Sequence, residues 1–335
     1  MRKLSFFIIG AFLSFAFVGY SKDTITASAN ETTVYVGGMS AGFTLKTDGA
    51  QIIGLCEVIT ENGASSPALQ AGLKTGDRII KINGISVHSI SELNEIVNKS
   101  QGKPQTFEIE RGDETLSFSI QPLKDKISNR YKIGVLVRDN VSGIGTITYI
   151  DKESGRFGSL GHSVVSENKR ELQIANGAVY HCNIVGICKG SRGKAGELRG
   201  MFLSDECFGT ADKLCDCGIF GTISKHWNTD NMTLVSASSA EVHIGDAYIY
   251  STVNGVTTKR YEIEIVKVDK RNKENKNYVI KITDKELIEQ TGGIVQGMSG
   301  SPILQNGKLV GAITHVFLND PTRGYGIDVQ TMLKE

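Results

Sequence analysis

The sequence predicts a mainly β protein in which an apolar N-terminal segment precedes two folded domains. The chain has 335 residues, a length that suits two domains. Glycine is abundant at 38 residues, proline is sparse at 5, and the hydrophobic fraction is 40%, which together indicate a folded, turn-rich chain rather than a disordered one. Short alternating apolar runs are bounded by glycine-containing turns, and this pattern favours strands over helices.

The charges are nearly balanced along the whole chain. There are 37 basic and 36 acidic residues, so the net charge is +1. Nucleic-acid binding would require a clustered basic face, which this composition gives no reason to expect. We therefore predict no nucleic-acid partner.

The first 23 residues form the apolar segment. Arg2 and Lys3 precede an uncharged stretch from Leu4 to Ser21, whose length lies between a signal-peptide core and a full membrane span. Positive charge at its start keeps that end in the cytoplasm and directs the rest across the membrane. We expect residues 1–23 to be a signal peptide or signal anchor, and the later domains to lie outside the cytoplasm. A cleavage site is not distinct, although Ala27–Ala29 has the small-x-small pattern.

The first domain is predicted at residues 33–123, after a polar linker. Ser66–Leu73 reads as a short helix, and the Asn83-Gly84 pair as a two-residue hairpin turn between strands. Ser89 is expected to cap an amphipathic helix in "SISELNEIVNKS". Two alternating strands follow around Gly112-Asp113.

The run from Ala68 to Ile79 carries a recognisable signature. It reads Ala-x-x-Ala-Gly-Leu-x-x-Gly-Asp-x-Ile, and with its flanking elements it resembles a PDZ domain in the circularly permuted form of bacterial proteases. The resemblance covers about a quarter of the chain. It implies binding of extended peptides at a sheet edge, with a backbone nest for the C-terminal carboxylate. By resemblance the nest lies in Met39–Leu45, around Ala41, Gly42 and Phe43. The alternative is a domain that only packs.

The second domain is predicted at residues 131–335, after a charged boundary at 123–131. Strand follows strand with glycine turns, including a hairpin turn at Asp151–Gly155, which suggests a barrel or sandwich. A single helix is expected in "TDKELIEQTG". Thr283 would cap it, Glu286 would complete a capping box, and Gly292 would end it.

A serine lies between glycines near the C-terminal end. Gly297-Met298-Ser299-Gly300-Ser301-Pro302 matches the pattern Gly-x-Ser-Gly-x-Pro of chymotrypsin-like peptidases, which places the nucleophile at Ser299 and makes Ser301 its nearest competitor. Developing negative charge on a scissile carbonyl needs two preorganised donors. The backbone amides of Gly297 and Ser299 can converge as this oxyanion hole if Gly297 adopts a conformation closed to larger residues.

A nucleophilic serine also needs a base within hydrogen-bond reach. Of six histidines, His162 in "GSLGHSVV" is the preferred candidate, because it follows a glycine at a turn early in the second domain. β-Barrel serine peptidases place the base on one barrel and the serine on the other, in the chain order His, Asp, Ser. His162 and Ser299 fit that order.

The acid that would orient the base stays open on residue reasoning alone. Asp284 lies fifteen residues before the serine (299 − 284), at a helix start, but acidic residues favour helix N-termini through the macrodipole alone. Other aspartates between the base and the serine are equally available: Asp205, Asp212, Asp216, Asp230, Asp246 and Asp269.

The six cysteines do not predict a metal site. Cys207, Cys215 and Cys217 are close in sequence, and His181 precedes Cys182, but the paired Cys-x-x-Cys spacing of zinc sites is missing. We expect no bound metal and read these residues as structural or free thiols.

The motifs together resemble the SpoIVB peptidase family, stage IV sporulation protein B of endospore-forming Firmicutes. The resemblance runs over nearly the whole chain, through "GIGTITYIDKESGRFGSLGHSV", "GIFG" and "GGIVQGMSGSPILQNGKLVGAITHVFLNDPTRGYG". It implies a PDZ domain followed by a chymotrypsin-like double β-barrel. It also implies a catalytic triad of His162, Ser299 and Asp284, with no metal or organic cofactor.

The resemblance further implies a role in regulatory proteolysis. Such an enzyme is exported across, or anchored in, the forespore membrane and faces the intermembrane space. It cuts its own N-terminal segment and a membrane-bound inhibitor complex, which releases an intramembrane protease that processes pro-sigma-K. Two alternatives are a non-catalytic PDZ scaffold and an HtrA-like envelope quality-control protease, although HtrA-type enzymes carry the PDZ domain after the protease.

Overall fold

The computed structural model describes residues 32–164, 174–203, 206–225 and 227–335. These residues form a mainly antiparallel β structure with four short helices. None of the helices in these ranges is both long enough and apolar enough to cross a membrane. The predicted signal peptide or anchor at residues 1–23 lies outside the described residues.

The first half of the described chain contains ten strands and two helices. They are β1 (Thr32–Val36), β2 (Ser40–Leu55), β3 (Val58–Thr60), β4 (Gly63–Ser65), α1 (Pro67–Ala71), β5 (Arg78–Ile82), β6 (Ile85–Ser86), α2 (Ile90–Lys99), β7 (Gln105–Arg111), β8 (Glu114–Ile120), β9 (Leu123–Lys124) and β10 (Tyr131–Lys132).

The second half adds thirteen strands and two helices. They are β11 (Val135–Asp151), β12 (Arg156–Leu160), β13 (Ile174–Cys188), β14 (Glu197–Phe202), β15 (Gly209–Cys215), β16 (Gly218–Ile223), β17 (Leu234–Ala237), β18 (Gly245–Ser251), β19 (Lys259–Val268), β20 (Tyr278–Ile282), α3 (Lys285–Thr291), β21 (Pro302–Gln305), β22 (Lys308–Phe317), β23 (Asp320–Asp328) and α4 (Val329–Met332).

The PDZ-like part follows the sequence prediction closely. Its sheet runs β2–β5–β7–β8, and one apolar core joins this sheet to α1 and α2. Ser89 caps α2 as expected, since its hydroxyl accepts a hydrogen bond from the Glu92 amide at 3.2 Å. Asn83 and Gly84 both take positive φ in the turn between β5 and β6, as a two-residue hairpin of this type requires.

Twelve strands, β2 among them, close into two six-stranded rings. In the first ring, hydrogen-bonded neighbours run β2–β11–β12–β16–β15–β13 and return to β2. In the second, they run β18–β19–β20–β23–β22–β21 and return to β18. Each ring encloses its own apolar core. Closure removes free sheet edges, and it accounts for the many short alternating strands in the sequence.

The pairing corrects the predicted start of the first domain at residue 33. β1 pairs with β11 and β17, and the first half of β2 pairs with β11 and β13, so residues 32–46 belong to the sheet of the second domain. The apolar core of the PDZ-like part begins at Ala50. The PDZ-like part is therefore inserted between two strands of the first ring.

The same pairing contradicts the predicted carboxylate-binding loop. Ala41, Gly42 and Phe43 lie within β2, where β11 pairs along one edge and β13 along the other. Ala41 and Phe43 point into the core of the first ring. A strand with both edges paired offers no nest of free amides to a peptide carboxylate.

The helix before the serine motif begins one residue later than predicted. Asp284, not Thr283, is the N-cap of α3, and its Oδ1 accepts a hydrogen bond from the Leu287 amide at 2.9 Å. Gly292 ends the helix in the left-handed region, as expected. The short helix α4 differs from the prediction of a single helix in the second domain; Asp328 caps it by accepting a hydrogen bond from the Gln330 amide at 2.8 Å.

Candidate active site

A cavity of about 450 Å³ contains both the predicted nucleophile and the predicted base. His162 follows β12 of the first ring, and Ser299 precedes β21 of the second. Most of the other lining residues are apolar, including Phe43, Leu160 and Ile294. The structure thus brings His162 and Ser299 to one site from two different rings.

The serine loop depends on its two flanking glycines. Gly297 has φ +99° and Gly300 has φ +94°, both in the region that residues with a Cβ rarely adopt. At Gly300 a Cβ would also lie 2.2 Å from the carbonyl oxygen of Thr146. The Gly-x-Ser-Gly spacing is therefore needed to place Ser299 at the cavity.

Two threonines of β11 hold this loop from the first ring. Thr146 donates its hydroxyl to the Gly297 carbonyl at 2.8 Å and its amide to the Ser299 carbonyl at 3.1 Å. The Thr148 hydroxyl donates to the Gly300 carbonyl at 2.8 Å. Sequence reasoning missed both residues, because their partners lie about 150 positions away in the chain.

The two predicted oxyanion donors are not engaged elsewhere. Neither the Gly297 amide nor the Ser299 amide has an acceptor within the described part of the chain. The Ser299 hydroxyl donates to the backbone carbonyl of Thr314 at 2.8 Å, not to an imidazole. Within this part of the chain both amides are thus without an acceptor, and the Ser299 hydroxyl is held by the Thr314 carbonyl.

A strained turn positions His162. Leu160 and Gly161 both have φ +68°, which is unusual for a leucine and redirects the chain as it leaves β12. The His162 Nδ1 is 2.8 Å from the Ser163 carbonyl oxygen. Burial lowers the pKa of His162 below its ordinary value, although the Ser163 carbonyl opposes this shift. The ring is therefore neutral at pH 7 and able to accept a proton.

A second histidine faces the same cavity. The rings of His315 and His162 have centroids 4.9 Å apart and are tilted by 42°. Partial desolvation and the neighbouring His162 lower the pKa of His315. His315 was not predicted from the sequence, since an isolated histidine in an alternating strand carries little signal.

The structure does not bring the predicted acid to the base. Asp284 caps α3 through Oδ1, and its Oδ2 accepts a hydrogen bond from the Glu262 amide at 3.4 Å. Neither oxygen contacts His162, whose Nδ1 meets the Ser163 carbonyl instead. The predicted contact between Asp284 and His162 is therefore absent in this conformation. No carboxylate of the described residues lines the cavity, and Asp205 lies outside them.

Ser301, the competing nucleophile, points away from the cavity. It is fully buried, and its hydroxyl donates to the Ser251 hydroxyl at 3.0 Å. A serine in that position can support the fold of the loop but cannot reach a substrate. Of the two serines in the motif, only Ser299 lines the cavity.

One group of side chains outside this cavity could hold a cation. Cys215, Cys217 and Glu335 place their ligand atoms within 4.8 Å of one another. However, Glu335 forms an ion pair with Lys213, and burial raises the pKa of the Cys217 thiol. Protonated thiols are poor zinc ligands, so these three residues do not fit a structural zinc site as they stand.

Two solved proteins are distantly similar to parts of the chain. A PDZ domain of an SdrC-like protein from Listeria monocytogenes is 20% identical, with a TM-score of 0.23, covering 28% of this chain and 90% of that one. The inactive form of the Rv3671c protease of M. tuberculosis is 15% identical, with a TM-score of 0.33, covering 57% and 83%. Scores this low leave the fold to be judged from the strand pairing itself.

Curated relatives match over short regions. A putative zinc metalloprotease of Agrobacterium fabrum is 31% identical over 34% of this chain and 29% of its own length. The regulator of sigma-E protease RseP of Salmonella typhimurium is 38% identical over 19% and 14%. The chain spans less than a third of either relative.

Family models match both domains. A PDZ domain model matches residues 38–121, a range that includes the strand β2 shared with the first ring. The model described as SpoIVB peptidase S55 matches residues 129–333, which carry both His162 and Ser299. With more than half of its length in that match, the chain belongs to the SpoIVB peptidase S55 family of serine peptidases.

Proposed function

We propose that Ser299 is the nucleophile of this serine peptidase and His162 its general base. The observation that carries the proposal is their convergence on one cavity beside two unengaged backbone amides. Ser299 would attack the scissile carbonyl, and His162 would take its proton and return it to the leaving amine. The amides of Gly297 and Ser299 would hold the oxyanion.

Catalysis requires a small rearrangement from the resting geometry. The Ser299 hydroxyl must leave the Thr314 carbonyl and turn toward His162, a change that side-chain rotation can provide. Catalytic hydrogen bonds are often incomplete before substrate binds. In the resting protein the Ser163 carbonyl, not a carboxylate, fixes His162 through Nδ1. An acid role for Asp284, which the family resemblance implies, would require it to leave the cap of α3.

The cavity walls indicate the class of peptide that is cut. The walls around Ser299 are formed by apolar side chains, among them Leu45, Val141 and Ile144. An apolar substrate side chain next to the scissile bond would displace water from these walls, whereas a charged one would lose its hydration without a partner. We expect cleavage beside apolar residues.

The wider proposal is a signalling protease of sporulation. The enzyme would be exported across, or anchored in, the forespore membrane through residues 1–23 and face the intermembrane space. It would cut its own N-terminal segment and a membrane-bound inhibitor complex, and so trigger processing of pro-sigma-K. Family membership supports this role. The PDZ domain is inserted into the first ring, ahead of His162 and Ser299 in the chain, and this position argues against an HtrA-like enzyme, in which the PDZ domain follows the protease.

The test compares two serines in the same loop. Purified wild type, Ser299→Ala and Ser301→Ala would be treated with a fluorophosphonate probe and analysed by intact mass, alongside self-cleavage on expression. We expect Ser299→Ala to lose labelling and self-cleavage by several powers of ten, and Ser301→Ala to keep the label. Labelling of Ser299→Ala at the wild-type rate would refute the assignment and favour a non-catalytic PDZ scaffold or another nucleophile.

A further inference from the structure

The edge of the PDZ sheet at which a peptide would bind is paired with another segment of the same chain. The second half of β2 pairs with β5 on one side and with the start of β11 on the other. On that second side Val135, Leu136, Val137 and Arg138 lie opposite Leu55, Gly54, Ile52 and Gln51. PDZ domains bind extended peptides by adding them as a strand to such an edge.

The side chains of this segment alternate as those of a bound peptide do. Val135 and Val137 pack against the PDZ core, which includes Leu93 and Val97 of α2. Leu136, between them, points outward and is 54% exposed. Two β-branched side chains at alternate positions, Val135 and Val137, therefore fill the groove between β2 and α2. Leu136, between them, adds little to the contact with the PDZ core.

The end of the segment is fixed at the N-terminus of α2. The Asp139 Oδ2 accepts a hydrogen bond from the Ile90 amide at 2.9 Å. A negative charge is favoured at this end of a helix by the unpaired amides and the macrodipole. Asp139 thus adds a polar contact to the two apolar ones.

The ladder is interrupted once within the contact and once after it. Its register shifts between Leu136 and Val137, and again between Arg138 and Asn140, where four residues of β2 are passed over. Beyond that break, Asn140 to Thr146 pair with the first ring. Residues 135–139 can therefore leave the PDZ edge without unpairing the strand that supports the serine loop.

We propose that Val135–Asp139 is a ligand held in cis in the PDZ groove, and that extended peptides with the same alternating β-branched pattern compete for it. The groove is closed in the resting protein and opens when this segment leaves. The apparent affinity of a competing peptide is then its intrinsic affinity multiplied by the fraction of molecules in which the groove is open. The inference concerns the PDZ domain alone and does not depend on the proposed roles of Ser299 and His162.

The test measures binding of a copy of the segment to the full chain. The probe is a fluorescein-labelled peptide with the sequence of Ile133–Asn140, IGVLVRDN, followed by fluorescence anisotropy, with its integrity checked by mass. Val137→Asp places a charge in the apolar groove and weakens the cis segment. The matched control is Leu136→Asp, because Leu136 faces solvent. We expect Val137→Asp to bind the peptide at least tenfold more tightly than wild type, and Leu136→Asp to bind as wild type does.

Equal affinity of wild type and folded Val137→Asp, whether weak or strong, would overturn the proposal. A second measurement needs no variant and covers the case in which Val137→Asp does not fold. Excess unlabelled peptide added to wild type should speed hydrogen exchange at residues 135–138 and leave Ile52 protected. Unchanged exchange at a saturating peptide concentration would also overturn it. A failure of Ser299 labelling would not affect either result.

Discussion

Thr146 gives the sharpest test of how the serine loop is held. Thr146→Val replaces a buried hydroxyl with a methyl group of nearly the same size, in a side chain that is 1% exposed. It removes one hydrogen bond, the 2.8 Å contact with the Gly297 carbonyl, and leaves the β11 backbone in place. Thr146→Ser is the matched control, since it keeps the hydroxyl and loses only a methyl group.

The expected cost follows from the carbonyl that is left behind. The acceptor left without a partner is the carbonyl of Gly297, which is half-buried at the cavity, so the loss is close to the net value of an ordinary hydrogen bond. We therefore expect Thr146→Val to lower the free energy of unfolding by about 1 kcal/mol. Release of Gly297 also loosens one of the two proposed oxyanion donors. Because removal of a whole donor costs about 10²–10³ in rate, a partial loss should slow labelling of Ser299 more than tenfold.

The assay combines urea unfolding with the rate of fluorophosphonate labelling. Thr146→Ser should keep the labelling rate within about threefold of wild type, with a smaller loss of stability from the missing methyl group. A free energy of unfolding of Thr146→Val within about 0.5 kcal/mol of wild type, together with labelling at the wild-type rate, would show that this hydrogen bond does not hold the loop. A slow Thr146→Ser would equally show that packing, and not the hydroxyl, holds the loop.

Three further predictions concern the cap, the base and the glycine turn. Asp284→Ala should lose about 1 kcal/mol in urea unfolding, and Asp284→Asn should not, because asparagine also accepts the amide hydrogen bond at an N-cap. Since neither Asp284 oxygen contacts His162 here, Asp284→Asn should keep its labelling rate; a loss of 10³-fold or more at unchanged stability would mean that the active form brings this carboxylate to the base. Burial lowers the pKa of His162, so the labelling rate should rise with pH through a midpoint below 6.5, and a midpoint above 6.5 would contradict a neutral resting base. Gly300→Ala should destabilise the protein by at least about 2 kcal/mol and abolish labelling, because its Cβ would collide with the Thr146 carbonyl; wild-type values for both would show that the turn adapts.

Local signals in the sequence predicted local structure well. Ser89 and the apolar spacing after it gave α2, and the Asn83-Gly84 pair gave a hairpin turn. Gly297 was expected to adopt a backbone conformation closed to larger residues, and its φ is +99°. In each case the decisive interactions lie within a few residues of one another.

Long-range pairing accounts for what the sequence did not reveal. The resemblance to PDZ domains predicts a carboxylate-binding loop at Ala41–Phe43, but β11 and β13, about a hundred residues or more further along the chain, pair with it as a strand. Thr146 is one of many threonines in strands until its bond to the serine loop is seen. For Asp284 a local signal was ambiguous, because the sequence cannot distinguish a carboxylate that caps a helix from one that takes part in catalysis.

The shared strands β2 and β11 determine where the polypeptide can be divided. Lys46 and Asn140 are cross-strand partners, so the PDZ domain enters and leaves the first ring at adjacent points. A short turn joining these two residues would restore a plain hairpin and yield a protease without its PDZ domain. Truncation at residue 129 would instead remove β1 and β2 and open the ring along β11 and β13. The chain has the connectivity of a domain inserted into a hairpin tip, not of two domains joined end to end.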